Sequence, residues 1–224
     1  MVTPQNKKII LFDLCETLVD FQTADKFVEY STEKKNSKWL TILSRLCLSF
    51  KIDRMINKFM LGESVNKRII LFQLRGRVYK ELDLIAKEYV ENVMLKRLNS
   101  KIIDIMRNHI SNGDRVILIS GGYDLYIKHF SSALGIKEFI CTNIAFNDKG
   151  KCLGYFSDKN CMGENKVRLL KAFVQEDLSS YDIVTYSDSI TDLPLFKISQ
   201  KGVVVSKACS STWAKKYNLA EIVL

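Results

Sequence analysis

The sequence KIILFDLCETL, at residues 8–18, decides the fold of this 224-residue chain. Its apolar run begins after two lysines and ends at a carboxylate, which predicts a buried strand with Asp13 at its carboxyl end. Open α/β sheets bind their ligands at the carboxyl ends of their strands. Taken alone, the stretch also fits a strand and a turn that happens to contain an aspartate. Its meaning therefore depends on the rest of the chain.

Three later stretches also place polar residues at the end of an apolar run or the start of a helix. They are VILISGG (116–122), GENK (163–166) and YDIVTYSDSITD (181–192). The first predicts a buried strand that ends in Ser120, and the second places Lys166 in the first turn of a helix. The third predicts another strand, followed by two carboxylates four residues apart, Asp188 and Asp192.

The four stretches together resemble the motifs of the haloacid dehalogenase superfamily, and in particular its phosphoserine-phosphatase-like branch. The order and the spacing of the motifs agree over almost the whole chain. The resemblance implies an α/β fold with a three-layer Rossmann-like core, a parallel sheet and a helical cap inserted after the first strand. One residue departs from the family pattern Asp-x-Asp-x-Thr, because Cys15 stands where the second Asp is expected.

The apolar periodicity divides the chain in the same way. A helical pattern at residues 21–98 predicts the cap domain, and residues 1–20 and 99–224 would form the core. The predicted cap helices are Thr23–Glu33, Lys38–Phe50, Ile52–Leu61, Val65–Leu74 and Val78–Leu98. After residue 99, strands alternate with helices, which indicates a parallel sheet. Phe139–Phe146 and Lys151–Phe156 are predicted to form a β-hairpin.

The composition is typical of a folded protein, with 47% hydrophobic residues, 26% charged residues and two prolines. The six cysteines form no Cys-x-x-Cys pair, so neither a zinc site nor a redox motif is indicated, and a reducing cytoplasmic location is expected. Trp39–Phe50 is the most apolar segment of the predicted cap, but it is shorter than the roughly 20 residues of a membrane span. No transmembrane segment is therefore predicted.

The resemblance implies phosphoryl transfer through a covalent aspartyl-phosphate on Asp13. It also implies a Mg²⁺ ion held by Asp13, the backbone carbonyl of Cys15 and Asp188, since Mg²⁺ prefers oxygen ligands. Asp192 would orient Lys166 or a water on the metal. For an isolated pair, the alternative is that Asp188 and Asp192 cap a helix and complement its dipole.

The resemblance assigns phosphate binding to Ser120, Gly121 and Lys166. Backbone N–H groups where a strand leads into a helix suit an anion, and glycine permits close approach of the backbone. Lys166 would neutralise both the phosphate and the Asp13 carboxylate. Read singly, a Gly-Gly pair is a turn and a helical lysine is a solvated residue, so these assignments depend on the joint occurrence of the motifs.

Cys15 leaves the activity open. In the family, the carboxyl group at this position protonates the leaving oxygen, a contribution worth about 10² to 10⁴-fold. Three alternatives follow. The chain is either a slow phosphatase that uses Cys15 or a group from the cap, or an enzyme whose leaving group needs no proton. The third alternative is a catalytically silent phosphate-binding or regulatory protein. Glu16 is adjacent, but neighbouring side chains generally point in different directions.

The net charge of +9 is concentrated in the predicted cap. Sixteen Lys and Arg residues against nine Asp and Glu residues lie between Phe21 and Ser100. Solvated surface lysines are the simplest explanation, and a basic surface also attracts anionic substrates or lipid. A small or lipid-linked phosphate monoester is the expected substrate, with possible peripheral contact of the cap with an anionic membrane. No nucleic-acid-binding motif is present, so no such partner is expected.

Overall fold

The computed structural model describes residues 7–34, 65–207 and 210–224, and in these ranges six strands form a fully parallel sheet. In the spatial order of the sheet, the strands are β3 (Glu138–Thr142), β2 (Arg115–Tyr123), β1 (Lys7–Phe12), β6 (Tyr181–Ser187), β7 (Lys201–Ser206) and β8 (Ala220–Val223). A separate antiparallel pair is formed by β4 (Ile144–Phe146) and β5 (Cys152–Phe156). The sheet confirms the predicted α/β class.

The described helices lie between the strands. The α-helices are α1 (Thr23–Lys34), α2 (Val65–Phe72), α3 (Tyr79–Tyr89), α4 (Ser100–Ser111), α5 (Asp124–Leu134), α6 (Glu164–Val174), α7 (Leu193–Ile198) and α8 (Thr212–Lys216). A π-helical turn, Val90–Met94, follows α3, and short 3₁₀ turns cover Leu178–Ser180 and Ile190–Asp192. No helix in this described part of the chain is long and apolar enough to cross a membrane.

β1 lies inside the sheet between β2 and β6, and its side chains alternate between two hydrophobic clusters. Ile10 and Phe12 pack on one face with residues of α4 and α5. Ile9 and Leu11 pack on the other face with residues of α6. Helices therefore cover both faces, which gives three layers and explains why the β1 sequence is a continuous apolar run.

The register of the parallel strands fixes where the polar residues meet. Phe12 pairs with Leu118 of β2 and with Tyr186 of β6, and the Phe12 and Tyr186 rings stack with centroids 4.6 Å apart. The Asp13 backbone N–H then donates to the Tyr186 carbonyl at 2.9 Å. Asp13 and the residues that follow β6 consequently lie at the same edge of the sheet.

The predicted hairpin needs correction in its first arm. Phe139–Thr142 belongs to β3 in the main sheet, where Ile119 pairs with Ile140, and only β4 and β5 form the antiparallel pair. β2 also continues past Ile119 to Tyr123, because Tyr123 still pairs with Thr142 after an irregularity.

The described elements between Asp20 and Asn99 are α1, α2, α3 and the π-helical turn. The predicted helices Lys38–Phe50 and Ile52–Leu61, with the apolar and basic residues proposed to contact a membrane, lie outside the described residues. The division into a core and a cap at residues 21–98 stays a prediction.

Candidate active site

The carboxyl ends of β1, β2 and β6 meet at a cleft of about 290 Å³. The cleft brings together all the predicted site residues: Asp13 and Cys15 after β1, Ser120 and Gly121 in β2, Lys166 in α6, and Asp188 and Asp192 after β6. They come from distant parts of the chain, so their convergence results from the order of the strands.

Lys166 links the two ends of this constellation. Its Nζ donates to Asp13 Oδ1 and to Asp192 Oδ2, each at 2.7 Å, and the side chain is only 1% exposed. Asp192 Oδ2 also accepts a 2.6 Å hydrogen bond from Ser187 Oγ. A buried ammonium is tolerated when it is paired and hydrogen-bonded, and here two carboxylates compensate it.

The protonation of this group follows from burial and charge. Burial, against the opposing effect of Lys166 and with a smaller contribution from Asp192, raises the pKa of Asp13 to about 6. Burial lowers the pKa of Lys166, but Asp13 and Asp192 outweigh it and the net shift is upward. Lys166 is therefore a permanent cation near neutral pH, whereas Asp13 is a carboxylate above about pH 6.

Asp188 is held beside Asp13 by Thr17. The Thr17 hydroxyl accepts from the Asp188 backbone N–H at 3.0 Å and is 3.5 Å from Asp188 Oδ1. Burial, followed by the negative charges of Asp13 and Glu16, raises the pKa of Asp188 to about 7. Two carboxylates in one cleft thus repel each other where the resemblance predicts a shared cation.

The residues present fit a hard divalent cation such as Mg²⁺. Asp13, Asp188 and Asp192 line the cleft, and Asp192 Oδ1 is buried without a hydrogen-bond partner among the described residues. The described residues contain no group of three or more His, Cys, Asp or Glu side chains that could hold a metal. Two carboxylates with a backbone carbonyl leave positions for water and substrate oxygens, an arrangement that suits Mg²⁺.

The predicted phosphate-binding segment also lines the cleft. Ser120 is buried, and its Oγ accepts from the Gly122 N–H at 3.0 Å, so the hydroxyl hydrogen remains available to an anion. A Cβ on Gly121 would lie 2.5 Å from Met162 Sδ, and one on Gly122 would lie 2.6 Å from the Tyr126 hydroxyl. Close approach therefore requires a glycine at 122, where Tyr126 is buried, whereas at 121 the side chain of Met162 would have to move. The helix begins only at Asp124, later than a turn at the glycines would place it.

Cys15 is anchored rather than free. Its Sγ lies 3.2 Å from Thr23 Oγ1 and accepts from the Thr23 N–H at 3.4 Å, while Thr23 Oγ1 lies 2.8 Å from the Tyr126 hydroxyl. Burial, followed by the charge of Asp13, raises the pKa of Cys15 to about 11. The thiol is neutral at physiological pH. Glu16 does not replace the missing acid, because its carboxylate lies 3.4 Å from Lys207 Nζ.

Lys67 and Asn160 are among the residues of the cleft that were not predicted from the sequence. Lys67 Nζ donates to the Gly121 carbonyl at 2.5 Å and to Asn160 Oδ1 at 3.2 Å. Thr142 Oγ1 donates to the same two acceptors, at 3.2 Å and 2.8 Å. A signal for Lys67 did exist, because it lies three, four and seven residues before Ile70, Leu71 and Leu74, on the buried face of α2.

Comparisons with known proteins show which family and fold the chain resembles. The profile of the haloacid dehalogenase-like hydrolase family matches residues 10–197. A histidinol-phosphatase of Neisseria meningitidis is 24% identical over 214 residues, covering 89% of this chain and 90% of the relative. A phosphoserine phosphatase of Methanocaldococcus jannaschii is 24% identical over 197 residues, covering 86% of this chain and 82% of the relative. A Bordetella pertussis protein of unknown function has the same fold, with a TM-score of 0.83 at 19% identity, 97% coverage of this chain and 99% of that one.

Proposed function

Because this chain belongs to the haloacid dehalogenase-like hydrolase family, we propose that it is a Mg²⁺-dependent phosphatase that hydrolyses a small phosphate monoester through Asp13. The observation that carries the proposal is Lys166, which joins Asp13 to Asp192 by two 2.7 Å bonds in the cleft that Ser120 and Asp188 also line. Phosphoryl transfer depends mainly on positioning and on neutralising charge at the phosphoryl oxygens. The cleft offers both.

The first step is attack by a carboxylate oxygen of Asp13 on phosphorus, while the bond from phosphorus to the ester oxygen breaks. Lys166 holds Asp13 in place and offsets its charge, and Ser120 offers its hydroxyl to a phosphoryl oxygen. Mg²⁺, held by Asp13, the Cys15 carbonyl and Asp188, would neutralise charge on the phosphate. Water then hydrolyses the aspartyl-phosphate and regenerates the carboxylate of Asp13.

The small substrate is supported by the relatives and by the size of the cleft. Histidinol-phosphatase and phosphoserine phosphatase are named for small phosphorylated metabolites, and the cleft of about 290 Å³ has room for a molecule of that kind. A lipid-linked ester and contact of the cap with an anionic membrane would involve residues 39–60, outside the described ranges. Those two possibilities, and the cytoplasmic location, stay predictions.

Phosphate release from a panel of phosphate monoesters, measured with Mg²⁺ and with EDTA, tests the proposal. We expect release with Mg²⁺ only, and its loss in Asp13→Asn, whose circular dichroism spectrum should match that of the unmodified protein. Asp148→Asn is the matched control, because Asp148 is exposed in the turn between β4 and β5. Release that persists in Asp13→Asn would refute the role of Asp13.

A second candidate is a catalytically silent phosphate-binding or regulatory protein. The specific observation that favours it is the neutral thiol of Cys15, which is held by Thr23 where the family carries its acid. This candidate predicts Mg²⁺-dependent binding of phosphate, measured by calorimetry, without release from any ester of the panel. Turnover that depends on Asp13 would exclude it.

A further inference from the structure

Lys67 is a cation of the cleft that neither the family motifs nor the metal site uses. It lies on α2, in the predicted cap, and its side chain is partly buried. Its Nζ contacts the Gly121 carbonyl and Asn160 Oδ1, and it lies 5.6 Å from the centre of the Tyr123 ring. Asn160 and Gly121 are themselves joined through Thr142. The ammonium is thus held in a defined position.

The two lysines of the cleft have different partners. Lys166 is bound to Asp13, the proposed nucleophile, and to Asp192, whereas Lys67 is bound to Gly121 of the predicted phosphate-binding segment. In an in-line displacement, the leaving oxygen departs from the side of phosphorus opposite the nucleophile. Lys67 lines the same cleft and contacts partners other than Asp13, so it is available to act at the ester oxygen.

We propose that Lys67 is a catalytic residue that donates a proton to the leaving oxygen, in place of the acid that Cys15 does not supply. This role rests on the proposed phosphatase function and adds to it the identity of the proton donor. Burial lowers the pKa of Lys67, which makes its ammonium a better donor, and Cys15 and Asp25 act in the opposite direction. Asp25 also lines the cleft.

The proton balance of the reaction closes with Lys67 alone. As the bond from Asp13 to phosphorus forms and the ester bond breaks, the electron pair of the ester bond goes to the leaving oxygen, which takes a proton from Lys67. Water then attacks phosphorus, the electron pair of the acyl-phosphate bond returns to Asp13, and the neutral Lys67 takes the proton of the water. The net reaction is hydrolysis of the ester to an alcohol and phosphate.

The test compares Lys67→Met on two esters, benzyl phosphate and p-nitrophenyl phosphate, by kcat/KM. Benzyl alkoxide needs a proton as it leaves, whereas p-nitrophenolate is stable without one. We expect kcat/KM to fall by roughly 10²-fold or more on benzyl phosphate, since general acid catalysis contributes about 10² to 10⁴-fold to the rate. On p-nitrophenyl phosphate, kcat/KM should fall by less than about 10-fold. Lys80→Met, an exposed lysine of α3, is the matched control and should leave both values unchanged.

Activity on p-nitrophenyl phosphate also shows that the variant is folded. In the Cys15→Asp background, the restored carboxyl group can donate the proton, so Lys67→Met should leave kcat/KM on benzyl phosphate nearly unchanged. Equal losses on both esters, or a full loss in the Cys15→Asp background, would overturn the role of Lys67 and leave the phosphatase function standing. If the unmodified protein released phosphate from neither ester, the proposed function and the donor role would fall together.

Discussion

The replacement of Lys166 by methionine tests whether the buried charges of the cleft are arranged as described. Lys166 is 1% exposed and bonded to Asp13 and Asp192, so Lys166→Met leaves two carboxylates without their counter-charge. Removing one partner of a buried ion pair costs about 3–5 kcal/mol of the free energy of unfolding. For a chain of this size, this loss corresponds to a fall in melting temperature of roughly 6–20 °C.

The loss should depend on pH in a definite direction. The pKa of Asp13 in the folded protein is raised to about 6 by burial although Lys166 opposes the shift, so without Lys166 it rises further. When the pKa of a carboxyl group is higher in the folded than in the unfolded protein, the free energy of unfolding falls as the pH rises from the unfolded pKa to the folded pKa. The variant should therefore lose more stability at pH 8 than at pH 5, where protonation of Asp13 relieves the repulsion.

Thermal unfolding followed by circular dichroism in EDTA, at pH 5 and pH 8, measures the effect. EDTA prevents a divalent ion from replacing the lost charge. Lys171→Met is the matched control, because Lys171 is an exposed lysine of the same helix. The assignment of Lys166 as the compensating charge is wrong if the two variants melt within about 2 °C of each other at pH 8. It is also wrong if Lys166→Met lowers the melting temperature by the same amount at both pH values.

Three further predictions follow from the same contacts. In the Lys67→Met background, Cys15→Asp should raise kcat/KM for an alkyl phosphate by roughly 10²-fold, because it restores a general acid; an unchanged value would show that a carboxyl group at this position does not serve as the acid. Mg²⁺ should raise the melting temperature more at pH 8 than at pH 5, because protons compete with the metal for its carboxylate ligands. Burial raises the pKa of Asp13 to about 6 and that of Asp188 to about 7. Equal shifts of the melting temperature at the two pH values in differential scanning fluorimetry would count against these ligands. Gly122→Ala should lower the free energy of unfolding by about 1–3 kcal/mol, because its Cβ would lie 2.6 Å from the hydroxyl of buried Tyr126. Urea unfolding measures this loss, and an unchanged free energy of unfolding would contradict the packing there.

Much of the site was predictable because its residues follow buried parallel strands. The apolar runs before Asp13 and Asp188 predict strands, and strands buried on both faces end at a common edge of the sheet. Lys166 was predictable only through its spacing from the other motifs, because nothing in a helix sequence distinguishes a buried lysine from a solvated one. The structure adds that Lys166 joins Asp13 to Asp192.

The rest depended on pairing partners, which periodicity does not contain. Phe139–Phe146 is one apolar run in sequence, but its first part pairs with β2 and its last part with β5, so the sequence alone did not show where the sheet changes. Gly121 and Gly122 predict a turn, yet the backbone stays extended because Tyr123 pairs with Thr142. Lys67 is one of many basic residues of the predicted cap, and only its position on the apolar face of α2 sets it apart.

Thr23, the first residue of α1, connects three parts of the molecule by polar contacts alone. Its hydroxyl reaches both Cys15 and Tyr126, and its carbonyl accepts from the Tyr89 hydroxyl at 2.9 Å. Tyr89 ends α3 and Tyr126 lies on α5. A displacement of either helix would therefore move Thr23, which contacts the thiol of Cys15. Valine at position 23 would remove the hydroxyl contacts at nearly constant shape, and Cys15 would then lose its side-chain link through Thr23 to Tyr126 although no reacting group is changed.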